Sequence, residues 1–137
     1  MSTALPPITL STLDVERIER LLEDKAFQDF PGREQIEAEI DRAKVVDSKE
    51  IPEGVVTMNS RVRFVEEDSG REFELELVYP RDAGSEGRVS VFAPVGSALL
   101  GLAVGQSIAW PLPGGRTGRL RIVDVTYQPE AAGDYFR

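Results

Sequence analysis

The sequence predicts an α+β fold: a short antiparallel helical hairpin, then an antiparallel sheet of about five strands with one helix inserted. Three observations predict it. Apolar residues recur at helical spacing in two runs before residue 47. From Arg61 onward the pattern changes to strand-like alternation broken by tight-turn residues. The apolar segment from Pro94 to Gly101 interrupts that alternation, with a residue that suits a helix start at one end and a helix stop at the other. A chain of 137 residues is one ordinary domain, or one small domain with an appendage. The expected division is residues 1–50 for the hairpin and 51–137 for the sheet domain.

Pro6-Pro7 blocks an early helix, and Ser11 then offers an N-cap with Asp14 as a short capping-box partner. Val15, Ile18 and Leu22 follow at helical spacing, and Leu21 widens the stripe. The expected helix runs from Ser11 to Asp24. The turn Phe27-Gln28-Asp29-Phe30-Pro31-Gly32 ends it. A second helix is expected from Arg33 to Val46, with Ile36, Ile40 and Ala43 on its apolar side. Facing stripes across a short turn make an antiparallel hairpin of the coiled-coil kind. Each arm spans about 20 Å at 1.5 Å per residue. A pair this short is marginal alone, so its base is expected to dock on the rest of the chain.

Asp47 to Gly54 reads as a linker. Strands are expected over Arg61–Glu67, Phe73–Tyr79, Arg88–Phe92, Ser107–Leu112 and Arg119–Tyr127, with turns at Asp68-Ser69-Gly70 and Pro113-Gly114-Gly115. In the last strand Leu120 and Ile122 share one face, and Val123, Val125 and Tyr127 the other. That change of phase predicts a bulge at Val123 or a strand covered on both faces. Residues 128–137 carry no strong signal.

Composition narrows the chemistry. The chain is 41% hydrophobic and 29% charged, in the range of folded domains. It has no cysteine and no histidine, which excludes thiolate nucleophiles, disulfides, ordinary zinc sites and histidine acid–base catalysis. No phosphate loop or nucleophile–base pair is visible. Residues 1–54 hold 7 Lys and Arg against 13 Asp and Glu, and residues 55–137 hold 9 against 11. An acidic N-terminal segment repels phosphate backbones, so a protein partner fits better than nucleic acid. No apolar run is long enough to span a membrane. The expectation is therefore a non-enzymatic, cytoplasmic monomer with no cofactor, no metal and no membrane or direct nucleic-acid contact.

Residues 55–127 resemble the C-terminal, FKBP-like domain of the bacterial Gre transcription factors. The strings that carry the resemblance are Val91-Phe92-Ala93-Pro94-Val95-Gly96-Ser97-Ala98-Leu99-Leu100-Gly101, Val104-Gly105-Gln106-Ser107-Ile108 and Pro113-Gly114-Gly115. Val55-Val56-Thr57-Met58-Asn59-Ser60-Arg61-Val62, Leu77-Val78-Tyr79-Pro80 and Tyr127-Gln128-Pro129-Glu130-Ala131-Ala132-Gly133-Asp134-Tyr135 resemble a Gre-related branch in which a short hairpin precedes this domain. The resemblance implies binding to bacterial RNA polymerase near the entrance of its secondary channel, in competition with Gre factors. It places the polymerase contact at Pro94, Val95, Gly96 and Ser97. True Gre hairpins are much longer and carry paired acids at the tip that assist transcript cleavage. The acids near this tip, Glu23, Asp24 and Asp29, do not reproduce that spacing, so no cleavage role is carried over.

Plainer readings stand beside these. The tip acids suit a solvated turn. Leu99, Leu100 and Leu102 suit a core. Pro94 and Gly96 suit a strand-to-helix turn for backbone reasons alone. Arg116, Arg119 and Arg121 suit ion pairs across the sheet rather than a nucleic-acid patch, which would need more charge and interleaved aromatics. Trp110 suits a core, or by fold analogy alone a prolyl isomerase pocket. The alternative functions are thus an FKBP-like isomerase and a protein-binding adaptor.

Overall fold

In the computed structural model, which describes residues 7–27, 32–111 and 117–133, the chain begins with β1 (Thr9–Ser11) and α1 (Thr12–Glu23). Then follow α2 (Arg33–Arg42), β2 (Lys44–Val46), β3 (Arg61–Glu66) and β4 (Arg71–Val78). The remainder is β5 (Arg88–Ser90), α3 (Pro94–Leu99), β6 (Ser107–Pro111), β7 (Thr117–Tyr127) and α4 (Pro129–Ala132). Asp29, Phe30-Pro31, the Pro113-Gly114-Gly115 turn, Arg116 and Asp134-Tyr135 lie outside the described residues.

Helix α1 starts as its sequence dictates. Ser11 is extended, and its Oγ accepts the Asp14 main-chain N–H at 3.1 Å. The reciprocal half of the expected capping box is replaced, because the Asp14 carboxylate reaches across the fold to Met58 instead. Arg33 ties the two helices together. Its Nη1 donates to the carbonyls of Leu22 at 2.8 Å and Phe27 at 2.7 Å, placing a cation at the carbonyl end of α1.

The second helix stops at Arg42, four residues short of the expected end. Ala43 is already extended, and Lys44-Val45-Val46 pair in parallel with Thr9-Leu10-Ser11. Two consecutive β-branched valines and an available strand partner outweigh helix continuation here. The presumed linker is also structured: it forms a helical turn over Ser48–Glu50 and buries Ile51, and Val55 just beyond it bridges Ala103.

The main sheet has the order β5-β4-β3-β7-β6. It is mixed rather than antiparallel, because β4 and β5 run parallel, with Glu76 opposite Arg88 and Val78 opposite Ser90. A tight turn would have returned β5 antiparallel. Instead the chain turns at Pro80–Asp82 and comes back to the level of Glu76, whose N–H donates to the Gly87 carbonyl at 2.8 Å. The expected bulge is present. Arg63 faces Asp124 while Phe64 faces Ile122, so Val123 has no partner in the β3 register and is exposed. A second shift lies between Val125 and Tyr127.

One hydrophobic core joins both halves of the chain. Ile18, Leu22, Ile36 and Ile40 from the helices belong to the same cluster as Val62, Phe64, Leu77 and Ile122 of the sheet. Leu99, Leu100 and Leu102 are fully buried within it, as their pattern predicts. Each such leucine contributes about 1.5–3 kcal/mol of burial. The two short helices are therefore held by the common core, with the Arg33 side chain tying one to the other. On the other face of the sheet Arg119 and Arg121 both pair with Glu67, at 3.8 and 3.4 Å, and Arg61 and Arg88 both approach Glu76. The arginines are thus matched across strands, as the plainer reading has it.

Within the C-terminal stretch that carries no strong sequence signal, Pro129–Ala132 form α4. The Gln128 side-chain oxygen caps it by accepting the Ala131 N–H at 3.1 Å. The Gln128 amide nitrogen donates to the carbonyls of Pro52 and Val55 at 2.9 and 2.8 Å.

Candidate functional site

The turn from β5 into α3 is built by backbone demands. Ala93 is extended and Pro94 occupies the first helical turn, where its missing N–H costs nothing. Gly96 is buried, and a Cβ there would fall on the Ser90 carbonyl oxygen. Ser97 is also buried, and its Oγ donates to the Val91 carbonyl at 2.7 Å. Of the four residues proposed for contact, Gly96 and Ser97 therefore face into the fold. Val95 is half-buried against the core. Just upstream, Phe92 packs edge-on against Phe27, with ring centroids 5.2 Å apart.

Phe27 also lines a cleft of about 550 Å³ between α1 and the sheet. Its floor includes Leu21, Val78 and Tyr79, and Arg17, Arg81 and Arg88 stand around it with Glu76 and Asp82. The cleft and the Pro94–Gly96 turn are thus joined through the Phe27–Phe92 contact.

At the inner end of this region lies a buried polar junction. The Thr57–Ser60 turn supplies it, with Asn59 at φ 66°, a left-handed conformation that asparagine tolerates better than most residues. Ser60 Oγ accepts the Thr57 N–H at 2.9 Å, and the Asn59 N–H donates to the Leu77 carbonyl. Thr57 Oγ1 donates to Glu130 Oε1 of α4 at 2.7 Å. From α1, Asp14 Oδ2 accepts the Met58 N–H at 3.1 Å. Asp14 is only 4% exposed. Burial pushes its carboxyl up to about 7; the Met58 hydrogen bond, Arg17 and the Ser11 hydroxyl oppose this, while Glu130 reinforces it. The Tyr79 hydroxyl is buried beside Asp14 and Arg17, close enough for both to act on it. Its own ionisation is pushed up by burial and by Asp14.

Of the expected tip acids, Glu23 and Asp24 lie among the described residues and Asp29 does not. Glu23 and Asp24 are exposed at the end of α1. Glu23 shares a shallow hollow with Glu19, Glu37 and Asp41, into which Arg33 also projects. Among the described residues no group of three acids is placed to hold a metal ion. Trp110 lies on β6 opposite Gly118.

The polar junction was missed by pattern reading, although one signal for it exists. Asp14 continues the stripe of Ile18 and Leu22 at spacing four, so a charged residue occupies a core position. Gln128 and Glu130 carry no comparable signal.

A five-stranded sheet crossed by a proline-started helix, behind a short helical segment, defines a domain of the GreA/GreB type. The family model described as "Transcription elongation factor, GreA/GreB, C-term" matches residues 51–127, and that described as "Rnk N-terminus" matches residues 6–46. The chain belongs to the Rnk branch of the GreA/GreB family. It is 49% identical to the "Regulator of nucleoside diphosphate kinase" of Escherichia coli (strain K12), over 95% of this chain and 96% of that one. Transcription elongation factor GreA of Thermodesulfovibrio yellowstonii is 30% identical over 69% of this chain and 60% of its own length. Among solved structures, a prokaryotic transcription elongation factor GreA/GreB from Nitrosomonas europaea has a TM-score of 0.71 and 58% identity, covering 89% of this chain and 99% of that one. These relatives are named as a regulator and as transcription factors, not as enzymes. No helix among the described residues is long and apolar enough to cross a membrane.

Proposed function

We propose that this chain is a transcription regulator that docks on bacterial RNA polymerase near the secondary channel. It competes there with Gre factors and does not stimulate transcript cleavage. The observation that carries the reading is a Gre-type C-terminal domain joined to helices of only 12 and 10 residues. Such helices extend about 18 and 15 Å. In this reading the domain supplies the shared docking surface, and the short acidic arm occupies the channel mouth without reaching the catalytic centre. Glu23 and Asp24 face the partner as solvated charge rather than as metal ligands.

The docking surface in this reading is the Pro94–Ser97 turn together with the adjoining cleft. Gly96 and Ser97 keep the turn in shape, and Val95 and the rim residue Arg81 make contact. Capture of core polymerase by the immobilised full chain tests it. Wild type is expected to retain polymerase, and Val95→Asp and Arg81→Glu to retain less. Arg81 has an 87% exposed side chain, so its replacement leaves the fold intact. No retention by the wild-type chain contradicts the reading.

A further inference from the structure

We propose that Asp14 is a proton-operated latch between α1 and the sheet domain: the protonated carboxyl holds α1 against the Thr57–Ser60 turn, and ionisation weakens that hold. The geometry is an interface. Asp14 sits on the helical segment, and its acceptor oxygen is engaged by a main-chain donor 44 residues away. Every element packed around it presents a defined group. The cap residue Ser11, whose Oγ accepts the Asp14 N–H, also offers its hydroxyl to the carboxyl, and Arg17 stands one turn on. The turn before β3 presents the Met58 N–H. Just past the end of β4 stands Tyr79, whose buried hydroxyl lies beside Asp14. Helix α4 presents Glu130, a second acid, held in place by Thr57.

Burial and the nearby Glu130 favour the neutral acid and outweigh the groups that favour the charge, the Met58 N–H, Arg17 and Ser11. A protonated carboxyl still accepts the Met58 N–H through its carbonyl oxygen. It also adds one O–H donor, which the Tyr79 oxygen beside it can accept. An ionised carboxylate keeps the Met58 bond but places a charge in a buried site beside Glu130, with Arg17 as the opposing cation. Releasing α1 returns the charge to water, so ionisation favours release. The direction of the carboxyl's shift, up to about 7, agrees with this. The latch belongs to the chain itself and holds whatever partner the helices meet.

The test uses the full chain in two measurements. A carboxyl-carbon NMR titration of the wild type reads Asp14 directly, with an expected midpoint near 7. Hydrogen exchange, corrected for intrinsic rates, reads opening of α1 at Ile18 and Leu22. Opening is expected to rise roughly tenfold or more between pH 5.5 and pH 8. In Asp14→Asn, which keeps an acceptor oxygen but cannot ionise, opening is expected to be the same at both pH values. A wild-type midpoint in the ordinary carboxylate range overturns the proposal, and so does a pH dependence that persists in Asp14→Asn. If that variant does not fold, the wild-type titration decides alone.

Discussion

The Asp14 carboxylate accepts the main-chain N–H of Met58 at 3.1 Å, fastening the first turn of α1 to the turn that leads into β3. Met58 is 2% exposed, so water offers its N–H no ready substitute. Asp14→Ala is expected to destabilise the protein by about 1–3 kcal/mol, the cost of an orphaned buried donor. Urea unfolding near pH 4, where the pH-dependent contribution of Asp14 is still nearly complete, measures it. Asp14→Asn is expected to cost less under the same conditions, because its side-chain oxygen can take the bond.

The same residue sets a pH dependence with a definite sign. The folded carboxyl titrates at about 7 and the unfolded one near 3.8. Between those values the folded state binds more protons than the unfolded state, so stability falls as pH rises. The contribution is complete below about pH 4 and lost by about pH 7. Its upper limit is about 4 kcal/mol. The stability difference between wild type and Asp14→Asn, followed from pH 4.5 to 8, isolates it from the other carboxylates. A flat difference shows that Asp14 titrates like an exposed acid.

Gly101 and Gly105 both adopt positive φ, at 83° and 90°, but their surroundings differ. A Cβ on Gly105 meets open space, whereas on Gly101 it comes within 2.8 Å of the Ile8 Cβ and 3.3 Å of the Thr9 carbonyl oxygen. Gly105→Ala is expected to cost about 1–2 kcal/mol from backbone conformation alone. Gly101→Ala is expected to cost clearly more, because β1 must also move. Thermal unfolding of the two variants side by side checks the order.

Gln128 is the hinge pin of the C-terminal helix. Its side chain makes three hydrogen bonds and is 5% exposed. Gln128→Ala is expected to cost about 2–3 kcal/mol, since the carbonyls of Pro52 and Val55 lose a buried donor. By contrast, Arg121→Gln removes a half-exposed pair with Glu67 and is expected to change stability by less than about 1 kcal/mol. Denaturant titration of both variants separates a buried network from a surface one.

How much of this was legible in the sequence depended on range. Local patterns read well: the Ser11 cap, the stripe of Ile18 and Leu22, the bulge at Val123 and the burial of Leu99, Leu100 and Leu102 are all consequences of neighbours within a few residues. Features decided by distant partners did not. The end of α2 at Arg42 depends on β1, which lies before α1 in the chain. The parallel run of β5 depends on how the Pro80–Asp82 turn redirects the chain. Asp14 looked like a capping residue because its true partner is 44 residues away. Of the proposed contact residues, the turn's location was legible, but the inward aim of Ser97 follows only from its bond to Val91.

The central claim is occupancy of the polymerase channel mouth without cleavage. Its most direct measurement is transcript cleavage in stalled elongation complexes, with a fixed amount of a Gre factor and rising amounts of this protein. The expected result is progressive loss of Gre-stimulated cleavage, with no cleavage stimulated by this protein alone. Cleavage unaffected at saturating protein, or cleavage stimulated by the protein itself, contradicts the claim.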